Sequence, residues 1–196
     1  MADLPVVVVV ATHGEDRLHL LTGRALPSIA KQASKANLVL VVSDNDPLSD
    51  FLEKEHIQSC FGVGDRNNVR LIHNTRTRGN SGTGAWNSGI MAAFASYGED
   101  CWVAILDDDD EWETNHIKLC LEAASERCQW VASGLIRCSK SGRKNENLPI
   151  SQPKAEDFFS TNPGIQGSNL FVRVRALLGE CDNVILKKSF FGLIMT

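Results

Sequence analysis

Residues Val6–Thr12 read VVVVVAT, an apolar run with no alternation. A strand with one wet face shows a polar residue at every second position. One that is apolar throughout is covered on both faces, as in a parallel sheet held between layers of helices. The valines are β-branched strand formers. No basic region precedes them, so the run reads as a first strand and not as a secretion signal. The same pattern returns along the chain, and the strands are expected near 6–11, 38–43, 69–73 and 101–106. Between them lie helical patterns. RALPSIAKQASKA (24–36) places Leu26, Ile29, Ala30 and Ala33 on one face, SDFLEKEHIQSC (49–60) is a short helix, and AWNSGIMAAFASY (85–97) repeats Trp86, Ile90, Phe94 and Tyr97 every three or four residues. A fourth helix is expected at Asn115–Arg127. Strand alternating with helix predicts the α/β class, a Rossmann-like three-layer sandwich with a mainly parallel central sheet. After residue 128 the rhythm changes. QWVASGLIRC (129–138) is strand-like, SKSGRKNENLPISQPKAED (139–157) reads as an exposed loop, and SNLFVRV (168–174) as one more strand.

The chain of 196 residues is 43% hydrophobic and 22% charged, which is globular usage and suits a single domain, 1–196. A formal charge of -4 argues against nucleic acid as the partner, since phosphate backbones call for concentrated Lys and Arg. No apolar run approaches the roughly 18 residues of a membrane span, so none is expected. Six cysteines, with no CxxC pair among them, point to a reduced compartment and a cytoplasmic protein.

Chemistry is concentrated where strands end, the edge at which open α/β sheets bind their ligands. The fourth strand runs directly into DDDDEW (Asp107–Trp112). Carboxylates are natural ligands of Mg²⁺ and Mn²⁺, and alternate side chains of an extended segment share a face, so Asp107 and Asp109 can point together. The loop reads equally as a solvated acidic turn feeding the N-terminus of the next helix. The second strand ends in SDND (Ser43–Asp46), where Asp44 is either a ribose or base acceptor or a turn residue. RGNSGTG (78–84) resembles a phosphate-handling loop but lacks the Lys-Ser/Thr ending of a P-loop.

Taken in order, VVVATHGEDRLHLLTGRALPSIAKQ, LVLVVSDND, TRGNSGTGAWNSGI and VAILDDDDEWETNHI resemble the nucleotide-sugar half of family 2 glycosyltransferases, which have the GT-A fold. Thr12 matches the first strand's threonine turn, and Arg24, Leu26, Ser28 and Ile29 match the following helix motif. Leu106, Asp107, Asp109, Asp110 and Trp112 complete the L-D-x-D-D-x-W motif. Asn80, Gly82 or Gly84, Ala85, Asn87 and Gly89 approximate a further segment. The resemblance implies an inverting, metal-dependent transfer from a nucleoside-diphosphate sugar to an acceptor hydroxyl that the sequence does not identify. It implies Thr12, Asp44, Arg78 and Asp108 as donor contacts, with Asp107 and Asp109 as ligands of Mn²⁺ or Mg²⁺. Arg78 reads as a base or phosphate contact, or as a solvated loop arginine.

The resemblance divides the domain into a donor-binding core (6–127), a partial acceptor side (128–179) and a divergent tail (180–196). Glu180 and Asp182 stand in a setting unlike the family's acidic base pair, and Asp157 reads as a helix cap. No general base is assigned, so a weak or inactive transferase that still binds its donor is expected. The alternatives are a non-catalytic or truncated nucleotide-sugar binding relative, or a nucleotidyltransferase. The latter fits less well, because ATHGEDRLHL has one glycine and a lone Arg17 where a basic glycine-rich loop is needed.

Overall fold

A computed structural model of the chain describes residues 4–13, 17–44, 54–74, 82–124, 128–139, 142–148 and 165–178. Strand β1 (Val6–Thr12) is buried at every position. It lies between two parallel neighbours, β2 (Leu38–Ser43) and β4 (Trp102–Asp107), with Val8 opposite both Val39 and Ala104. β3 (Val69–His73) extends the parallel part beyond β2. The four strands expected from apolar runs are therefore present, within a residue of their expected ends.

The sheet continues past β4 with two antiparallel strands, β8 (Leu170–Arg173) and β5 (Trp130–Ala132), giving the order β3-β2-β1-β4-β8-β5. Trp102 and Phe171 stack across the β4–β8 boundary at 4.9 Å. The expected strand 129–138 is in fact two. It breaks at Ser133–Gly134, and β6 (Leu135–Ser139) leaves to pair with β7 (Gly142–Leu148) in a separate two-stranded sheet. Part of the expected exposed loop is therefore a strand. GRKNENL has no apolar alternation to reveal it, and its pairing is with β6 alone.

Even and odd residues of β1 serve opposite layers, as a period of two requires. Val6, Val8 and Val10 join a core with Leu21, Leu26, Ile29, Ile57 and Ile117. These come from α1 (Leu18–Leu20) and its continuation through Leu21–Ala25 into α2 (Leu26–Ala30), from α3 (Lys54–Ser59) and from α5 (His116–Ala123). Val7, Val9 and Ala11 join the other core with Ala85, Ile90 and Ala93 of α4 (Thr83–Tyr97) and with Leu177 of α6 (Val174–Leu177). Each fully buried valine contributes about 1.5–3 kcal/mol, so the central strand stabilises both layers.

Three helices differ from expectation, and the simplest difference is that α5, expected to reach Arg127, ends at Ala123 where Ala124 turns extended. The first begins at Leu18, ahead of Arg24, and a π-helical stretch at Leu21–Ala25 rephases it so that Leu21, Ala25, Leu26 and Ile29 are all buried; Ala33 lies beyond it, exposed. In α4 the buried face is Thr83, Gly84, Ala85, Ser88, Gly89, Ile90 and Ala93, while Phe94 and Tyr97 are exposed. The reason is closeness. A Cβ at Gly89 would overlap Val9 Cγ1 and lie 3.2 Å from Val42 Cγ2, so no side chain fits at that point of closest approach. Among the described residues no helix is long and apolar enough to cross a membrane. Cys60, Cys101, Cys120 and Cys128 are free thiols.

Candidate functional site

The register of the parallel strands brings three chain segments to one edge. Thr12 is opposite Ser43, and Ala11 is opposite Asp107, so Thr12, Asp44 and the acidic loop converge at the C-terminal ends of β1, β2 and β4. Arg78 lies outside the described residues, as do Asp157, Glu180, Asp182 and the tail.

Asp107 alone of the four aspartates belongs to the strand. The chain then turns, with the Asp110 amide donating to the Asp107 carbonyl at 3.2 Å. Alternation along an extended strand therefore does not govern the later carboxylates. The turn instead puts the neighbours Asp108 and Asp109 on one guanidinium. Arg17 Nε and Nη2 donate to Asp108 Oδ1 at 2.8 and 2.6 Å, and Nη2 lies 2.9 Å from Asp109 Oδ2. The other oxygen of Asp108 accepts from the Thr12 hydroxyl at 2.8 Å. Arg24 Nη1 donates to the Asp109 carbonyl at 2.8 Å. Self-repulsion in DDDDEW is thus offset within the chain at Asp108 and Asp109.

Thr12 and Asp108 are buried, and each uses its side chain on the other, with Arg17 completing the set. They brace the loop. Asp108's hydrogen bond leads the causes that raise Arg17 above the ordinary guanidinium range.

Among the described residues Asp107 has no such partner. Burial, then the charges of Asp110 and Asp109, push its carboxyl up to about 6, against an opposing hydrogen bond from Ser168. Its own amide donates to Ser168 Oγ at 3.0 Å. Ser168 sits in a 3-10 turn, Gly167–Asn169, that runs beside the end of β4 where β8 no longer pairs. Gly167 is required there, since a Cβ would come within 2.6 Å of Trp86 Cη2.

Trp112 pins the far end of the acidic loop. Its Nε1 donates to the Ser168 carbonyl at 2.7 Å, its amide donates to Ser28 Oγ at 3.2 Å, and its ring stacks on His116 at 4.4 Å. Burial pushes His116 down to about 4, so it is neutral at physiological pH. Gln32, 2% exposed, ties the same loop to α2 by donating to the Glu113 carbonyl at 2.9 Å and accepting from the Ile117 amide at 3.0 Å. Ser28 and Trp112, conspicuous in sequence as motif residues, hold the loop in place.

Asp44 is 5% exposed. The Asn74 amide nitrogen donates to its Oδ1, and Ser88 of α4 donates to Asn74 Oδ1 at 2.8 Å. This chain from helix to carboxylate exists because α4 lies so close to the sheet. Arg17, Asn74, Ser88 and Ser168 are site residues that the sequence does not single out. For Arg17 a signal exists, since an acidic run beside a buried strand needs a cation and this one follows β1 directly.

Asp107 and Asp109 are carboxylates, the kind of oxygen donor that hard divalent ions take. Among the described residues Asp107 has no cation beside it, and Asp109 has a half-exposed side chain with one oxygen engaged by Arg17. Among the described residues no group of three or more His, Cys, Asp and Glu side chains is assembled as a metal site. Two carboxylates would leave most of an octahedral shell to a ligand's oxygens and water.

The sequence profile described as Glycosyl transferase family 2 matches residues 7–178. Comparison with curated protein sequences gives no match. The fold is similar to that of S. aureus TarS 1-349 crystallised with UDP (16% identity, TM-score 0.57, covering 95% of this chain and 54% of that one). It is likewise similar to the same protein with UDP-GlcNAc (17%, 0.57, 90% and 47%). In the crystal structure of S. aureus TarS the match covers 89% of this chain and 29% of that one, at 17% identity and a TM-score of 0.55. The chain thus spans about half, or less, of the length of these structures, and the likeness is one of fold.

Proposed function

This chain belongs to glycosyl transferase family 2, and on that premise we propose that it binds a nucleoside-diphosphate sugar and passes the sugar to an acceptor hydroxyl. One observation carries the reading: Asp44 and the acidic loop meet at the same strand edge, each held from behind by buried hydrogen bonds. A strand edge braced in this way is preorganised for a ligand that has a hydrogen-bonding end and an anionic end.

In this proposal Asp44 accepts from the nucleoside, with Asn74 and Ser88 fixing its carboxylate. The diphosphate lies towards the acidic loop, and Arg78 is kept as a base or phosphate contact on the family resemblance alone. Asp107 and Asp109 would hold Mn²⁺ or Mg²⁺, which when bound neutralises charge on the departing diphosphate. The acceptor oxygen attacks the anomeric carbon from the side opposite the diphosphate. The new C–O bond forms as the old one breaks, the acceptor proton passes to a base, and the configuration inverts. Such a displacement needs no covalent nucleophile, only an oriented anomeric carbon and a stabilised leaving group.

UDP and UDP-GlcNAc, the ligands of the two TarS complexes, are the first probes to use. A screen of several nucleotide-sugars, with and without Mn²⁺, should reveal donor cleavage for one base and sugar, and only with the ion present. No cleavage and no binding of any of them would overturn the proposal.

A further inference from the structure

Arg17 is attached to the acidic loop by two arms of unequal character. The arm to Asp108 is buried: that carboxylate's side chain is 4% exposed, and both its oxygens are engaged, one by two N–H groups of Arg17 and one by Thr12. The arm to Asp109 faces solvent, with side chains 35% and 48% exposed. Charge-assisted bonds to a buried carboxylate persist, whereas exposed ion pairs are weak and easily exchanged. The exposed arm ends on Asp109, the carboxylate that in the proposed donor site also faces the divalent ion. A guanidinium and a divalent ion at one carboxylate repel each other, so both cannot keep it unchanged.

We infer that Arg17 is an exchangeable cation of the donor site. Before a donor arrives it neutralises Asp109 and disfavours binding of a free divalent ion. When the ion arrives with a nucleoside diphosphate, Nη2, which bonds both carboxylates, lets go of Asp109, and Arg17, still anchored on Asp108 through Nε, turns its outer N–H groups to the diphosphate oxygens. One charge thereby does two things: it keeps the carboxylates assembled before binding, and it makes ion uptake depend on the nucleotide. No bond other than hydrogen bonds and ion pairs changes. The inference rests on the donor site proposed above and adds to it a residue that positions charge.

The test is Mn²⁺ titration of the 196-residue chain, followed by the electron paramagnetic resonance of free Mn²⁺, with and without UDP. Arg17→Gln should bind Mn²⁺ alone about tenfold more tightly than the wild type, the order expected for removing one charge several ångströms from a divalent ion. It should also bind UDP more weakly at saturating Mn²⁺. Arg17→Lys, which keeps the charge, should bind Mn²⁺ alone as weakly as the wild type. Arg17→Gln binding Mn²⁺ alone no better than the wild type would overturn the inference. Should Arg17→Gln fail to fold, side-chain arginine NMR of the wild type decides. Addition of Mg²⁺ and UDP should move the Arg17 Nη signals and leave Nε in place, and unmoved Nη signals refute the exchange. A wild type that takes up UDP with Mn²⁺ while Arg17→Gln gains nothing overturns the exchange alone. A wild type that takes up neither overturns the donor site as well.

Discussion

Replacing Gly89 by alanine sets two effects of opposite sign against each other. Alanine is the better helix former by about 1 kcal/mol, and in an exposed helix it would stabilise. Here the new Cβ would overlap Val9 Cγ1 and come within 3.0 Å of Val9 Cγ2 and 3.2 Å of Val42 Cγ2, inside ordinary contact. Val9 and Val42 are both 0% exposed and have nowhere to go. The helix must retreat by on the order of 1 Å, an overpacking cost of about 1–3 kcal/mol. That retreat also breaks the 2.8 Å bond from Ser88 to Asn74, which is worth about 1 kcal/mol. The net loss is about 1–3 kcal/mol, or a fall in Tm of roughly 2–10 °C for a domain of this size. Urea unfolding should show a lower midpoint at unchanged slope. UDP affinity should fall too, because Asp44 loses its brace. Val9→Ala removes both clashing carbons, so the double variant should be less destabilised than the two single losses added together. Gly89→Ala as stable as the wild type, with UDP binding intact, would refute the close packing of α4 and its part in holding Asp44.

A half-buried carboxyl and a buried imidazole should give opposite pH slopes. The raised carboxyl of Asp107, about 6, means the folded chain holds that proton more tightly than the unfolded one. Asp107 therefore costs stability at neutral pH, and the cost disappears as pH falls from 6 towards 4. His116, lowered to about 4, favours folding when neutral, and that stability is lost as pH falls from 6.5 towards 4. Each is worth at most about 3 kcal/mol, at about 1.4 kcal/mol per pH unit. Relative to the wild type, Asp107→Asn should be more stable at pH 7 and lose stability more steeply on acidification, and His116→Gln less steeply; parallel curves for all three proteins would contradict both assignments. Ser168→Ala removes the acceptor of the Asp107 amide and should cost about 1–2 kcal/mol in thermal melts, with Trp112 still bonded to the backbone carbonyl. Asp109→Asn should leave the fold standing, since Asp109 is half exposed, while abolishing the gain in UDP affinity that Mn²⁺ provides.

The parts of the fold written in runs of like residues are legible in the sequence. An unbroken apolar strand such as Val6–Val10 can only be doubly covered, and parallel strands of similar length then place Thr12, Asp44 and Asp107 at one edge. What cannot be read depends on partners distant in sequence. Arg17 and Asp108 are 91 residues apart, and although an acidic run calls for a cation, nothing local to Asp108 says that Arg17 is the one. The buried face of α4 differs from its apolar periodicity because periodicity selects large residues, whereas close approach to a sheet selects small ones, Gly89 above all. The antiparallel pairing of β8 and the β6–β7 pair are hidden because short strands beyond β4 take their pairing from neighbours and not from their own pattern. The acidic loop is legible as chemistry but not as geometry, since a turn after Asp107 reorders which carboxylates stand together.

The most direct test is calorimetric titration of UDP into the wild-type chain, once with Mn²⁺ and once with EDTA. A donor site built on Asp107 and Asp109 requires UDP to bind at least about tenfold more tightly with Mn²⁺, since two carboxylates alone hold the ion weakly and the diphosphate completes its shell. Equal UDP affinity under the two conditions, or no binding in either, would contradict it.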